Sequence, residues 1–154
     1  MPDLIQPGYE FTAHLRVTLG APLEVRDTPR GRHRIIPISG GVVAGPNLTG
    51  TVVPGGADWQ YIAPNGTTEV DARYTLDLAG IKVGVTSRGI RRGPKDVLDR
   101  IAKGERVDPA SYYFRTAIRF EAHAGKLQWM TDSLFIAKAE RLASEVLLEV
   151  WRVL

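Results

Sequence analysis

The chain has 154 residues, no cysteine, 16 glycines, 10 prolines and a formal net charge of +3. One domain of this length buries a real core without cross-links, and the missing thiols exclude disulfides and thiolate zinc sites. The opening MPDLIQPGYEF lacks the basic and apolar regions of a signal peptide, and no apolar run nears the ~20 residues of a membrane helix. A cytoplasmic protein with no membrane partner is therefore expected.

Tyr9–Thr18 alternates, with Tyr9, Phe11, Ala13, Leu15 and Val17 opposite Glu10, Thr12, His14, Arg16 and Thr18. A period of two over ten residues reads as a half-buried strand. Gly20-Ala21-Pro22 turns the chain, Leu23–Thr28 is a short return strand, and Arg32–Ser39 is a third. Pro37 inside that third strand argues for an edge position or a bulge, because proline cannot donate to a ladder.

Gly31–Gln60 is dense in glycine: Gly40-Gly41, Gly45-Pro46 and Gly55-Gly56 interrupt its apolar runs. Glycine within a strand pattern marks bulges, corners or close backbone approach. Two strands, Thr49–Val53 and Ala57–Ile62, are expected around the Pro54-Gly55-Gly56 corner, ending on Asp58-Trp59. Asn65-Gly66 is the strongest tight-hairpin signal. Beyond it the alternation of Val70, Ala72, Tyr74, Leu76 and Leu78, then Ile81, Val83 and Val85, predicts an antiparallel hairpin.

Pro94–Lys103 is the one convincing helix, with Pro at its start, acids early, Lys late and Gly104 beyond. Alternation returns in Tyr112–Ala122, and Ala124-Gly125 turns into a further segment, Lys126–Met130. In the tail, helix-forming residues compete with an alternation of Val146, Leu148 and Val150. The expectation is strands at Leu134–Ala137 and Val146–Val153. Many short antiparallel strands with glycine corners predict an all-β, closed or nearly closed barrel with one short helix near 94–103.

The run G-R-x-R-I-x-P-I-S-G-G … G-P-x-L-x-G-x-V-x-P-G-G-A-D-W resembles the signature of an uncharacterised family, a domain of unknown function. The resemblance extends to Tyr112-Tyr113-Phe114-Arg115-Thr116, Phe120-Glu121 and Trp129, so it covers most of the chain. It implies a single calycin-like (lipocalin-like) β-barrel, and implies no particular activity.

Two constellations carry possible chemistry. A carboxylate held against an indole has its charged form destabilised and suits acid–base work, which makes Asp58 beside Trp59 a candidate. The alternative is an Asx-type cap on the glycine turn. Tyr113, Arg115, Arg119 and Glu121 share one strand face. Turned inward they would converge on a ligand, and turned outward they form a solvated ladder or a subunit contact. Arg30–Arg34 and Arg88–Lys95 contain basic clusters without interleaved aromatics, so a solvated face or minor anion site is favoured over nucleic acid. His14, His33 and His123 share no metal-ligand spacing, and no phosphate-loop or nucleophile-elbow motif occurs.

Two function classes follow. One is a barrel enzyme (isomerase, lyase, cyclase or hydratase) using acid–base chemistry without cofactor or metal. Asp58, Arg115 and Tyr113 would be its catalytic groups, and Arg34, Trp59, Tyr74, Glu121 and Trp129 its ligand-binding groups. The other is a lipocalin-like protein that carries a small organic ligand unchanged. Strands apolar on both faces add the expectation of a homo-oligomer, most simply a dimer.

Overall fold

The computed structural model describes residues 4–154. Nine strands form one antiparallel sheet: β1 Tyr9–Leu19, β2 Leu23–Thr28, β3 Gly31–Ala44, β4 Thr49–Ile62, β5 Thr68–Leu78, β6 Ile81–Arg92, β7 Tyr113–Ala122, β8 Phe135–Arg141 and β9 Glu145–Val153. Their order is β1-β9-β8-β7-β6-β5-β4-β3-β2, and β3 also pairs with β1. That last pairing closes eight strands into a barrel and leaves β2 as a flap on β3.

β3 makes closure possible by serving two partners along one edge. Its first residues pair with β2 as far as Leu23↔Ile35, and its later ones pair with β1 from Leu19↔Ile38 to His14↔Ala44. Pro37 falls in the gap between the two partners, and its carbonyl accepts from the Gly20 N–H at 2.8 Å. The proline thus sits where that edge needs no ladder donor, as its chemistry requires. Past the gap the strand bends at Gly40-Gly41, where the β3–β4 register also shifts. Gly41 has φ +147, and a Cβ there would lie 2.1 Å from the Arg16 carbonyl oxygen. Only glycine fits that approach.

Two local expectations change. Residues 49–62 form one continuous strand with a register shift between Val53 and Ala57, not two strands around a corner. The glycines bend the ladder without ending it. The tight hairpin lies at Ala79-Gly80, between paired Leu78 and Ile81, with φ 54 and 86. Positive φ at both central residues is the primed-turn geometry. The Asp77 carboxylate accepts from the Gly80 N–H at 2.7 Å and supports that turn. At Asn65-Gly66 only the glycine has positive φ, and the loop is wider, closed by Ala63 N–H to Thr67 O at 2.9 Å.

A second short helix also appears. α1 spans Lys95–Ala102 as expected, burying Val97, Leu98 and Ile101. Residues 126–130 are not extended: α2, Gln128–Thr131, plugs the other end of the barrel with fully buried Met130. In the tail, strands β8 and β9 prevail over helix propensity because each pairs on both sides within the closed sheet. Among the described residues no helix is long and apolar enough to cross a membrane.

The lumen is apolar through its middle and at the α2 end. Phe120 meets Phe135 edge-on at 4.8 Å, and Leu76, Ile118, Val83 and Val150 are fully buried around them. Polar side chains gather at the α1 end. Gly41→Ala is expected to lower stability by about 1–3 kcal/mol, from the backbone clash and the unfavourable φ. Gly84→Ala should be near neutral, since its Cβ would meet Glu121 Cβ at an ordinary 3.6 Å. Urea unfolding midpoints of the two variants test this contrast.

Candidate arginine-lined active site

The polar end of the barrel follows from strand alternation carried to the strand tips. On β3, Arg34 shares its face with Ile36 and Ile38. On β6, Arg91 continues the face of Val83, Val85 and Ser87, and on β8, Arg141 continues that of Phe135, Ala137 and Ala139. These three arginines, with the more exposed Arg32 and with Asp99 of α1, line one cavity of about 530 Å³. Thr68 and Ile62 complete its lumenal wall, Leu19, Gly20 and Pro22 form its rim, and Leu98 and Ile101 of α1 cover it. The size suits a small organic molecule.

Behind this wall lies a hydrogen-bonded chain with one possible polarity. Arg34 Nε donates to Gln60 Oε1 at 2.9 Å, and Gln60 Nε2 donates to Asp58 Oδ2 at 2.6 Å. Asp58 Oδ1 in turn accepts from the Asp71 backbone N–H on β5 at 2.9 Å. Gln60 is only 2% exposed, and its amide orientation is dictated by an obligate donor on one side and a carboxylate on the other. Asp58 is half-buried on the lumenal face of β4, opposite Ile36 and Ala72. Its hydrogen bond to a neighbouring strand differs from the Asx-type cap considered from the sequence.

Burial is the largest influence on Asp58 and raises its pKa; the Gln60 and Asp71 hydrogen bonds, then Arg91 and Arg34, pull it partly back. Burial also lowers Arg34 and Arg141, and pushes Arg91 down to about 10, with Arg141 and Arg34 adding like-charge repulsion. All three arginines stay cationic at neutral pH. Arg91 is 6% exposed, and its Nη1 has no hydrogen-bond partner among the described residues. Tyr74 likewise buries its hydroxyl without a partner, and burial, then the charge of Asp58, raises its pKa. Tyr112 accepts from the Arg141 backbone N–H at 2.9 Å, joining β7 to β8 beside the cavity.

Of the residues expected from the sequence, the structure brings Arg34 onto this cavity and Asp58 behind its wall, while Tyr74 is buried in the apolar core at the middle of β5. It does not bring Arg115, Tyr113 or Glu121 to the cavity. These project outward from β7, because Phe114, Thr116, Ile118 and Phe120 fill the inward positions. On the outer face Arg115 lies over the Tyr113 ring at 5.2 Å. Trp59 also faces outward, 37% exposed, with Arg73 over its ring at 5.8 Å. Trp129 belongs to α2 at the opposite end, where Arg152 covers its ring at 5.4 Å.

Arg91, Arg141, Gln60 and Thr68 were not singled out from the sequence. The basic run Arg88–Lys95 reads from the sequence as a solvated face or a minor anion site; in the structure Arg88 and Arg92 face out and Arg91 faces in. Continuing the Val83–Val85 alternation by six residues would have found it.

Fold and site together define an eight-stranded antiparallel barrel with a cation-lined cavity at one end. The chain belongs to the DUF3237 family, described as protein of unknown function, whose model matches residues 7–153. A UPF0311 protein of Bradyrhizobium diazoefficiens is 40% identical over 155 residues, covering all of both chains. Among solved structures, a conserved protein of unknown function from Rhodopseudomonas palustris superposes with TM-score 0.94 at 37% identity, over 98% of this chain and 100% of that one. A beta-barrel like protein from Acinetobacter baumannii gives TM-score 0.87 at 30% identity over both whole chains. An enzyme from Penicillium herquei shares the fold, with TM-score 0.75 at 20% identity over 100% and 99% of the two chains.

The raised Asp58 pKa has a signed consequence for stability. The native carboxyl keeps its proton after the unfolded one has lost it, so this group's contribution falls as pH rises from the ordinary aspartate value of 3.8 through the native pKa. Asp71 and Asp77 have lowered values and act in the opposite sense. The difference in unfolding free energy between wild type and Asp58→Asn, followed from pH 3 to 7 in urea, is expected to decline with pH; a rising difference would contradict it.

Proposed function

We propose that the barrel is a cofactor-independent acid–base enzyme acting on a small organic carbonyl compound. Arg91 carries the reading: a buried guanidinium with no side-chain hydrogen bond among the described residues lines a cavity that has a second buried group, the Asp58 carboxylate, linked through Gln60 to Arg34 of its wall. Guanidiniums arranged in advance stabilise the negative oxygen that forms when a proton leaves the carbon beside a carbonyl. In this reading Asp58 is the group that takes or returns that proton, and burial brings its pKa nearer the working range. Arg34 and Gln60 hold it in place. The neighbour from Penicillium herquei that is called an enzyme is compatible with chemistry on this scaffold, but fold alone does not transfer an activity.

The second reading, a barrel that binds a small organic molecule unchanged, is favoured by one observation. Asp58 is absent from the cavity wall itself, whose charged residues are Arg32, Arg34, Arg91, Arg141 and Asp99. Proton exchange separates the two readings. Compounds selected by thermal shift from carbonyl, lactone and aromatic acid panels are incubated with the protein in deuterium oxide and followed by proton NMR. Enzymatic exchange beside the carbonyl is expected in wild type, with a loss of at least 100-fold in Asp58→Asn and no change in Arg115→Gln. Binding without exchange, or exchange equal in Asp58→Asn and wild type, would favour the carrier.

For assembly, we propose a homodimer. Its support is the exposed apolar set on the outer faces of β6, β7 and β8, namely Ile90, Tyr113 and Ile136, 40–44% exposed. Light scattering at micromolar concentration is expected to give twice the chain mass, and a monomer mass would refute it.

A further inference from the structure

We propose that the cavity selects small organic acids, taking an oxyanion head group onto Arg91 with Arg34 and Arg141 and an apolar body beneath helix α1. This rests on the reading that the arginine-lined cavity is the functional site, and holds whether or not the ligand is transformed.

The first argument is charge. Four arginines, Arg32, Arg34, Arg91 and Arg141, line one cavity; its lining carboxylate, Asp99 of α1, is paired with Lys95 Nζ at 2.6 Å, and Asp58, behind the wall, is the carboxylate whose field reaches Arg34, Arg91 and Arg141. Glu24, on the β2 flap, adds only to the field at Arg34. Gathering like charges away from water is unfavourable, and an anion placed among them offsets both the repulsion and the lost hydration. The second argument is the inventory of donors. Arg34 commits Nε to Gln60, and Arg141 commits Nη1 to the Leu142 and Glu145 carbonyls at 2.6 and 3.3 Å. Arg91 lines the cavity, is 94% buried and makes no side-chain hydrogen bond among the described residues, so its donors are not committed to the protein. A planar guanidinium fork matches a carboxylate or phosphate in two-point contact.

The third argument is the apolar half of the cavity. Leu19 and Pro22 at the rim and Leu98 and Ile101 of α1 provide a hydrocarbon surface opposite the guanidiniums. A bare inorganic anion uses none of it. An aromatic or aliphatic acid uses both halves, its head toward Arg91 and its body against the helix. Leu98, in the middle of the helix, lies beside Gly66 of the β4–β5 loop, and Gly104, just past its end, lies beside Ala143 of the β8–β9 turn.

The test is isothermal titration at low salt with four probes: 2-naphthoate, 2-naphthyl phosphate, the neutral 2-naphthamide and inorganic phosphate. Wild type is expected to bind at least one naphthyl anion ten-fold or more tighter than naphthamide, and tighter than inorganic phosphate; which anion wins identifies the head group. Arg91→Gln should abolish the preference over naphthamide, Arg91→Lys should retain part of it, and Leu98→Ala should weaken both naphthyl anions. Circular dichroism and melting establish that each variant folds, and the lysine variant preserves the test if the glutamine variant does not. Equal binding of naphthoate and naphthamide, inorganic phosphate binding as tightly as either naphthyl anion, unchanged selectivity in the Arg91 variants, or no binding by any probe would overturn the proposal. Turnover is not read, so failure here is distinguishable from failure of the acid–base reading, which is judged on Asp58→Asn.

Discussion

Closure of the sheet depends on how β3 divides its edge between β2 and β1. At the handover Gly41 comes so close to the Arg16 carbonyl that a methyl group has no room. Without that approach β1 and β3 would be two open edges of a long sheet, each exposing unpaired backbone donors and acceptors. With it the eight strands share one interior. Every inward residue then gains a fixed set of neighbours, so Arg34, Arg91 and Arg141, distant in the chain, come to face one space.

The two ends of that interior solve different problems. At the α2 end, Phe120, Phe135 and Met130 exclude water and supply much of the close-packed core. At the α1 end, β3, β5, β6 and β8 carry Arg34, Thr68, Arg91 and Arg141 on the inward face. The barrel there tolerates cations that a packed core would reject. Buried groups of one sign are unfavourable for stability, and such arrangements are characteristic of functional sites. The Arg34–Gln60–Asp58 chain limits the cost by giving the carboxylate donors on both oxygens while leaving Arg91 uncommitted. The result is a rigid scaffold with a polar, preorganised mouth.

Much of this was legible in the residues. Alternation identified the strands of the first two-thirds of the chain, and the proline, acid and glycine spacing around 94–104 located α1. Pro37 pointed to an edge position or a bulge, and it lies in the gap between β2 and β1, where β3 needs no ladder donor. Asp58 stood out by its glycine turn, though its companion Trp59 faces solvent. Misreadings arose where local signals were ambiguous. Asn65-Gly66 has better primed-turn chemistry than Ala79-Gly80, but the β5–β6 register, continuous from Thr68↔Arg91 to Leu78↔Ile81, demands the tight turn at the latter. Residues 126–130 resemble a strand as well as a helix, and only the need to plug the barrel end decides between them.

The candidate site divides in the same way. Alternation by itself determined which residues of β7 travel together: Tyr113 with Arg115 and Glu121, Tyr112 with Phe114 and Thr116. It did not determine which set looks inward, since both carry aromatics. Closure decided that, because the lumen must be filled by Phe114, Ile118 and Phe120, and Arg115 is then carried to the surface. The same closure turned Arg91 from one member of a basic run into a buried cation beside Arg34 and Arg141. A strand's own sequence specifies its two faces through a period of two; the curvature that makes one face the inside belongs to the whole sheet.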